Sequence, residues 1–135
     1  MSEPIIVVDS SDVRAGRLPD LKLAIHGMTE FVERNVPRAL TYRVYLDRAG
    51  TRMTVVQIHP DSKSMEVHME VSAPVFRSFV DLIQLSMIDV YGAPSDELLE
   101  RLRAKTRLLG GGATMRVHEF EAGFIRLQRE TAASS

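Results

Sequence analysis

Apolar residues along this chain switch between strand-like and helix-like spacing, and the switches divide it into elements. Ile5 to Val8 is a short β-branched run, and Asp9-Ser10-Ser11-Asp12 behind it predicts a turn. Leu21, Ile25, Met28 and Val32 then recur at helical spacing, which predicts a helix from Arg14 to Val36. Pro19 suits its first turn and Pro37 stops it. From Arg38 to Asp47 the period becomes two. Leu40, Tyr42, Val44 and Leu46 point one way, and Thr41, Arg43, Tyr45 and Asp47 the other. Arg48-Ala49-Gly50-Thr51 predicts a hairpin turn, and a second strand follows from Arg52 to His59.

Past His59-Pro60 the period becomes helical again. Asp61 or Ser62 is placed to cap a helix from Ser62 to Val71, and a second helical piece is expected from Val75 to Ile83. Leu85 to Tyr91 reads as a strand closed by Gly92. Pro94-Ser95-Asp96-Glu97 starts a further helix with Leu98, Leu99 and Leu102 on its apolar side. Gly110-Gly111-Gly112 ends that helix. It is no phosphate loop, because no Lys-Ser or Lys-Thr follows and no helix begins there. A last strand is expected from Ala113 to Phe120, with a kink at Gly123 and extended chain to Leu127.

The order is β-α-β-β-α-β with an added helix and strand. That is an α+β fold with a ferredoxin-like βαββαβ antiparallel sheet, its helices on one face. The bare face would carry Tyr45, Val56 and Ile58, too apolar to leave wet. A second copy packed sheet to sheet would cover it and give a dimeric α/β barrel; the added helix and strand are the alternative cover.

Composition narrows the function classes. The 135 residues suit a single domain spanning 1–135, with 128–135 expected to be a disordered tail. Seventeen basic and 18 acidic residues give a net charge of -1 and are interspersed, which argues against a nucleic-acid footprint. There is no cysteine, so disulfides, thiolate nucleophiles and thiolate metal sites are excluded. No apolar segment approaches the ~20 residues that cross a bilayer, so no membrane role is expected, and the start of the chain lacks signal-peptide character. The expected location is the cytoplasm.

His68 leads the candidates for chemistry. Helical spacing sets it beside Met65 and Met69, with Ser72 one turn on. A neutral imidazole there takes a proton from a phenolic substrate or binds its oxygen; the other reading is a core histidine satisfied by Ser72 or backbone. Tyr42 either lines a cavity or packs in the core, and Tyr45 and Tyr91 also lie on strands. His59 and His118 also fall on strands, but no histidine spacing here matches a metal motif, and His26 reads as solvated. Arg43 and Arg116, also on strands, suit pairing across the dimer with Asp47 or Asp89, or an anionic ligand.

The block from Val56 to Phe79, VQIHPDSKSMEVHMEVSAPVFRSF, resembles the antibiotic biosynthesis monooxygenase family of dimeric α+β barrels. Asp61, Met65, His68, Ser72 and Phe76 follow the family's order, and the Tyr42–Asp47 arm fits ahead of them. The resemblance covers about Thr41 to Ile83 well and the flanks in topology. It implies a homodimer with a cavity between sheet and helices. It also implies oxygenation of an aromatic or quinone-like molecule without metal or cofactor. His68 would then be catalytic, with Tyr42, Met65, Met69, Phe76 and His118 contacting the substrate. The family's haem-degrading relatives use Asn, Trp and His together; this chain has no Trp, and its sole Asn, Asn35, ends the first helix. The alternative is a non-catalytic dimeric barrel that holds a small apolar ligand or serves as an interaction module.

Overall fold

The computed structural model describes residues 3–126. Five strands and three helices follow one another: β1 (Ile5–Val13), α1 (Leu18–Asn35), β2 (Thr41–Leu46), β3 (Arg52–His59), α2 (Ser62–Phe76), β4 (Ile83–Tyr91), α3 (Asp96–Gly110) and β5 (Thr114–His118). A single 3-10 turn, Arg77–Phe79, links α2 to β4. The sheet runs β2-β3-β1-β4-β5. Its first four strands pair antiparallel in the ferredoxin-like order, and the added β5 joins β4 in parallel.

The differences from the expected boundaries have local causes. Asp9-Ser10-Ser11-Asp12 is not a turn but the second half of β1, paired with β3 on one side and β4 on the other. The alternation that buries Ile5 and Val7 continues through Asp9 and Ser11, both buried, while Asp12 points out and pairs with Arg52 at 2.8 Å. The two helical pieces after Pro60 are one helix. Pro74 sits in its last turn, where losing a single N–H donor costs little, and the chain tightens into the 3-10 turn. No helix reaches Ile83, which starts β4, buried beneath the helices. β5 stops at His118, and residues 119–126 run on without strand pairing. The expected extension at Leu127 and the tail at 128–135 lie outside the described residues.

Asp61 is the residue that caps α2, accepting from the Ser64 amide at 2.8 Å, and Ser95 caps α3 through the Leu98 amide. Leu21, Met28 and Val32 of α1, Met65, Met69 and Phe76 of α2, and Leu98, Leu102 and Leu109 of α3 all bury against the inward residues of β1, β3 and β4. The three helices therefore share one face. The added α3 thickens the covered side instead of closing the bare one, where Ile6, Val8, Val56, Ile58 and Met87 remain half-exposed and Tyr45 is exposed. α3 ends against the sheet at Gly110, where a β-carbon would stand 2.1 Å from the Leu85 carbonyl oxygen. Only glycine lets the helix come this near.

Candidate functional site

Polar side chains are buried between the helices and the sheet in two adjoining groups. The first centres on histidines. α2 carries His68 inward at 0% exposure, and β3 delivers His59 beside it with ring centroids 5.7 Å apart. His59 is fully engaged: Nε2 donates to Gln57 Oε1 at 3.1 Å, and Nδ1 accepts from Ser64 Oγ at 2.9 Å. Burial pushes its pKa down to about 4, with Asp61 pulling weakly the other way. His68 has Nδ1 3.3 Å from Ser72 Oγ, one helical turn on. Its Nε2 is buried with no hydrogen-bond partner among the described residues. Burial first, then the positive charge of Lys105, then His59, take His68 down to about 3. Both rings are neutral at physiological pH. His68 also packs against Tyr42 and Phe76, each with its ring centroid 5.9 Å away.

The second group lines a cavity of about 30 Å³ on the far side of Tyr42 and Phe76. One water occupies roughly 10–15 Å³, so the cavity holds a water or two. Its polar wall is Asp9 and Ser11 from β1, Lys105 from α3 and Tyr42 from β2; its apolar wall includes Met53, Phe76 and Leu85. Lys105 Nζ lies 3.2 Å from Asp9 Oδ2, an ion pair with both side chains almost wholly buried, and stands over the Phe76 ring at 4.8 Å. Ser11 Oγ is buried without a partner among the described residues. Burial holds the Tyr42 hydroxyl above its ordinary pKa, and the Asp9 carboxylate pushes it further the same way. Tyr42 and Phe76 also line grooves at the surface. Tyr42 borders an open groove of about 500 Å³ between α1 and β2, and Phe76 one of about 260 Å³ between α2 and α3.

The expected site residues divide accordingly. Tyr42 and Phe76 line the cavity, and His68 touches both from behind. Met65 and Met69 are buried in the core, Met69 also reaching the α2–α3 groove. His118 is elsewhere. It lies on the bare face of the sheet, where Nε2 meets Asp89 Oδ1 at 2.8 Å and the ring stacks on Tyr91 at 4.5 Å. Arg116 pairs with the same Asp89 at 3.0 Å within the chain and not across a dimer, while Arg43 lies over the Tyr45 ring. His59 and His68 converge and His118 does not. His26 is exposed.

Sequence reasoning missed Asp9, Ser11 and Lys105. The signal was present: Asp9 and Ser11 continue the two-residue phase of Ile5 and Val7, and Lys105 falls on the apolar stripe of Leu98, Leu102 and Leu109.

No family model matches the sequence, and no curated protein does. Solved structures do match. MupZ from Pseudomonas fluorescens superposes with a TM-score of 0.71 at 17% identity, over 93% of this chain and 96% of MupZ. SnoaB, a cofactor-independent oxygenase from Streptomyces nogalater, gives 0.59 at 11% identity, over 70% of this chain and 96% of SnoaB. A Deinococcus radiodurans protein described as a candidate antibiotic biosynthesis monooxygenase gives 0.56 at 14% identity, over 67% and 93%. The fold is that of the antibiotic biosynthesis monooxygenases. On this monooxygenase-type fold α3 and β5 are additions to the ferredoxin-like unit, and the likeness to MupZ is broad enough to reach into them.

Proposed function

We propose that this chain is a small oxygenase that acts on an aromatic or quinol-like molecule with dioxygen and no bound cofactor. The observation that carries the reading is the polar wall of Asp9, Ser11, Tyr42 and Lys105 gathered on an otherwise apolar cavity. The shared fold with SnoaB supports it. For an anthrone-like substrate the balance is simple: a ring CH2 and one O2 become a ring C=O and one water. The substrate's own electron-rich anion supplies the electrons, so the protein's tasks are to bind, to move a proton and to exclude bulk water.

Substrate entry requires Tyr42 or Phe76 to swing, because a cavity of about 30 Å³ is smaller than any aromatic ring system. That movement exposes His68. With Nε2 free of any partner among the described residues, His68 is a good hydrogen-bond partner for the substrate. His68 thus binds and orients, with Tyr42, Met69 and Phe76 shaping the pocket.

We also propose a homodimer closed by the bare sheet faces. The support is the continuous half-exposed apolar set Ile6, Val8, Val56, Ile58 and Met87. Within it the Asp89–Arg116–His118 group would sit at the interface, giving His118 a role in assembly and not in substrate contact.

One observation favours a second reading. His68 is fully buried and the cavity is small, as expected of a barrel that serves as a binding or interaction module. Incubating the protein with a panel of quinols and anthrones under oxygen, beside His68→Ala, separates the two. Turnover that falls in the variant supports the oxygenase. No turnover on any compound, or equal turnover in the variant, defeats the role given to His68.

A further inference from the structure

Asp9 occupies a position where an apolar residue would serve packing as well. It follows Ile5 and Val7 on the inward face of β1, at 2% exposure, in the middle of a three-strand antiparallel stretch. Burying a carboxylate and an ammonium together costs desolvation that the pair recovers only with further hydrogen bonds, and apolar replacements of similar size are often more stable. Here those further bonds are missing. Asp9 Oδ2 takes Lys105 Nζ, and the remaining carboxylate oxygen has no hydrogen bond to any described residue. Lys105 has three N–H donors, and Asp9 is its sole acceptor among the described residues. Ser11 Oγ beside them is unpartnered too. The group is a polar wall facing a cavity, and Ser11 Oγ is its one buried atom without a partner among the described residues. Its position relative to the surface adds to this. Phe76 and Lys105 line both the cavity and the open α2–α3 groove, so the ion pair lies one side chain from solvent. The groove approaching it is apolar at Met69, Ala73 and Leu108.

From this geometry the structure assigns Asp9 as the proton acceptor of the site, with the Lys105 ammonium and the Ser11 hydroxyl holding the oxygen anion that the substrate becomes. The step rests on the oxygenase reading. A substrate with an acidic C–H beside a ring carbonyl, or a phenolic O–H, gives its proton to the Asp9 carboxylate, which becomes the neutral acid. The bonding pair stays on the substrate as an enolate or phenolate, and Lys105 turns from Asp9 toward that oxygen as Asp9 loses its charge. The charge between sheet and α3 is unchanged, so no new buried ion is created. The substrate class follows: an apolar ring compound with one acidic proton next to an oxygen, entering between α2 and α3.

Proton abstraction is separable from oxygenation by removing oxygen. The test is anaerobic exchange of the CH2 protons of anthrone in heavy water, read by NMR, with aerobic turnover measured in parallel. Wild type should exchange well above the buffer rate, and Asp9→Asn should slow it about 100-fold or more. Lys105→Met keeps the carboxylate but removes its counter-charge, so exchange should need a higher pH than in wild type. If Asp9→Asn fails to fold because Lys105 is left unpaired, the double variant Asp9→Asn, Lys105→Met removes both charges and should show the same loss. Wild-type exchange that survives loss of the carboxylate in a folded variant overturns the assignment, as does aerobic turnover without anaerobic exchange. Neither exchange nor turnover with wild type overturns the assignment together with the oxygenase reading on which it rests.

Discussion

Lowering the pH from 7 to 5 should strip this protein of about 4 kcal/mol of stability, nearly all of it through His59 and His68. In the fold both rings are held below the ordinary value of 6.5, His59 at about 4 and His68 at about 3, mainly by burial. The unfolded chain titrates both near 6.5, so below that pH it binds protons that the native state refuses. The stabilisation is therefore full above about 6.5 and is lost as the pH falls toward the folded values. At pH 5 each histidine shifts the balance by about 2 kcal/mol relative to pH 7, and the pair by about 4. That is a large share of the 5–15 kcal/mol or so typical of a domain. Asp47, Asp61 and Asp89 are held below the usual carboxylate range by hydrogen bonds, so they act near pH 4 and below and are silent in this window. Urea unfolding followed by circular dichroism at pH 7, 6 and 5, at one protein concentration, measures the slope. His68→Gln should remove about half of it, whatever it does to stability at pH 7. A wild-type stability flat to within about 1 kcal/mol across this range would refute the claim that both rings are buried neutral.

Three further outcomes follow from the packing. Gly110→Ala drives a methyl group against the Leu85 carbonyl and should cost about 3 kcal/mol in thermal or urea unfolding, whereas Gly27→Ala, with nothing within 4 Å in α1, should add about 1 kcal/mol. Asp61→Ala removes the α2 cap and the partner of Arg38, and should cost about 1 kcal/mol by the same measurement. Light scattering should give twice the 15.1 kDa chain mass, and Val56→Lys with Ile58→Lys on the bare face should return it to one; a wild-type mass of one chain would remove the dimer.

Alternation and helical spacing were enough to read the element order from the sequence, because this fold buries one face of its sheet and one stripe of each helix. The Arg52–His59 strand came out residue for residue, and Asp61 as a cap. Legibility failed where polar residues go inward. Asp-Ser-Ser-Asp has the composition of a turn, and only pairing with strands some 40 and 80 positions away keeps it extended; those partners are invisible to local spacing. The same error hid Asp9 and Ser11, and with them the cavity. Lys105 escaped notice because its partner lies 96 positions away in sequence. His68 was found because it sits among methionines on a helix. His118 was misjudged in place because strand alternation does not say which face is covered once the helix count is uncertain.

On the proposed function, the cavity between sheet and helices supports reaction of an electron-rich ring compound with dioxygen. Dioxygen uptake by the chelator-treated protein with anthrone, measured alongside product, tests it most directly. Uptake should run well above autoxidation, with one O2 consumed per ketone formed and no need for added metal or flavin. Uptake no faster than the buffer blank across the quinol and anthrone panel would contradict it.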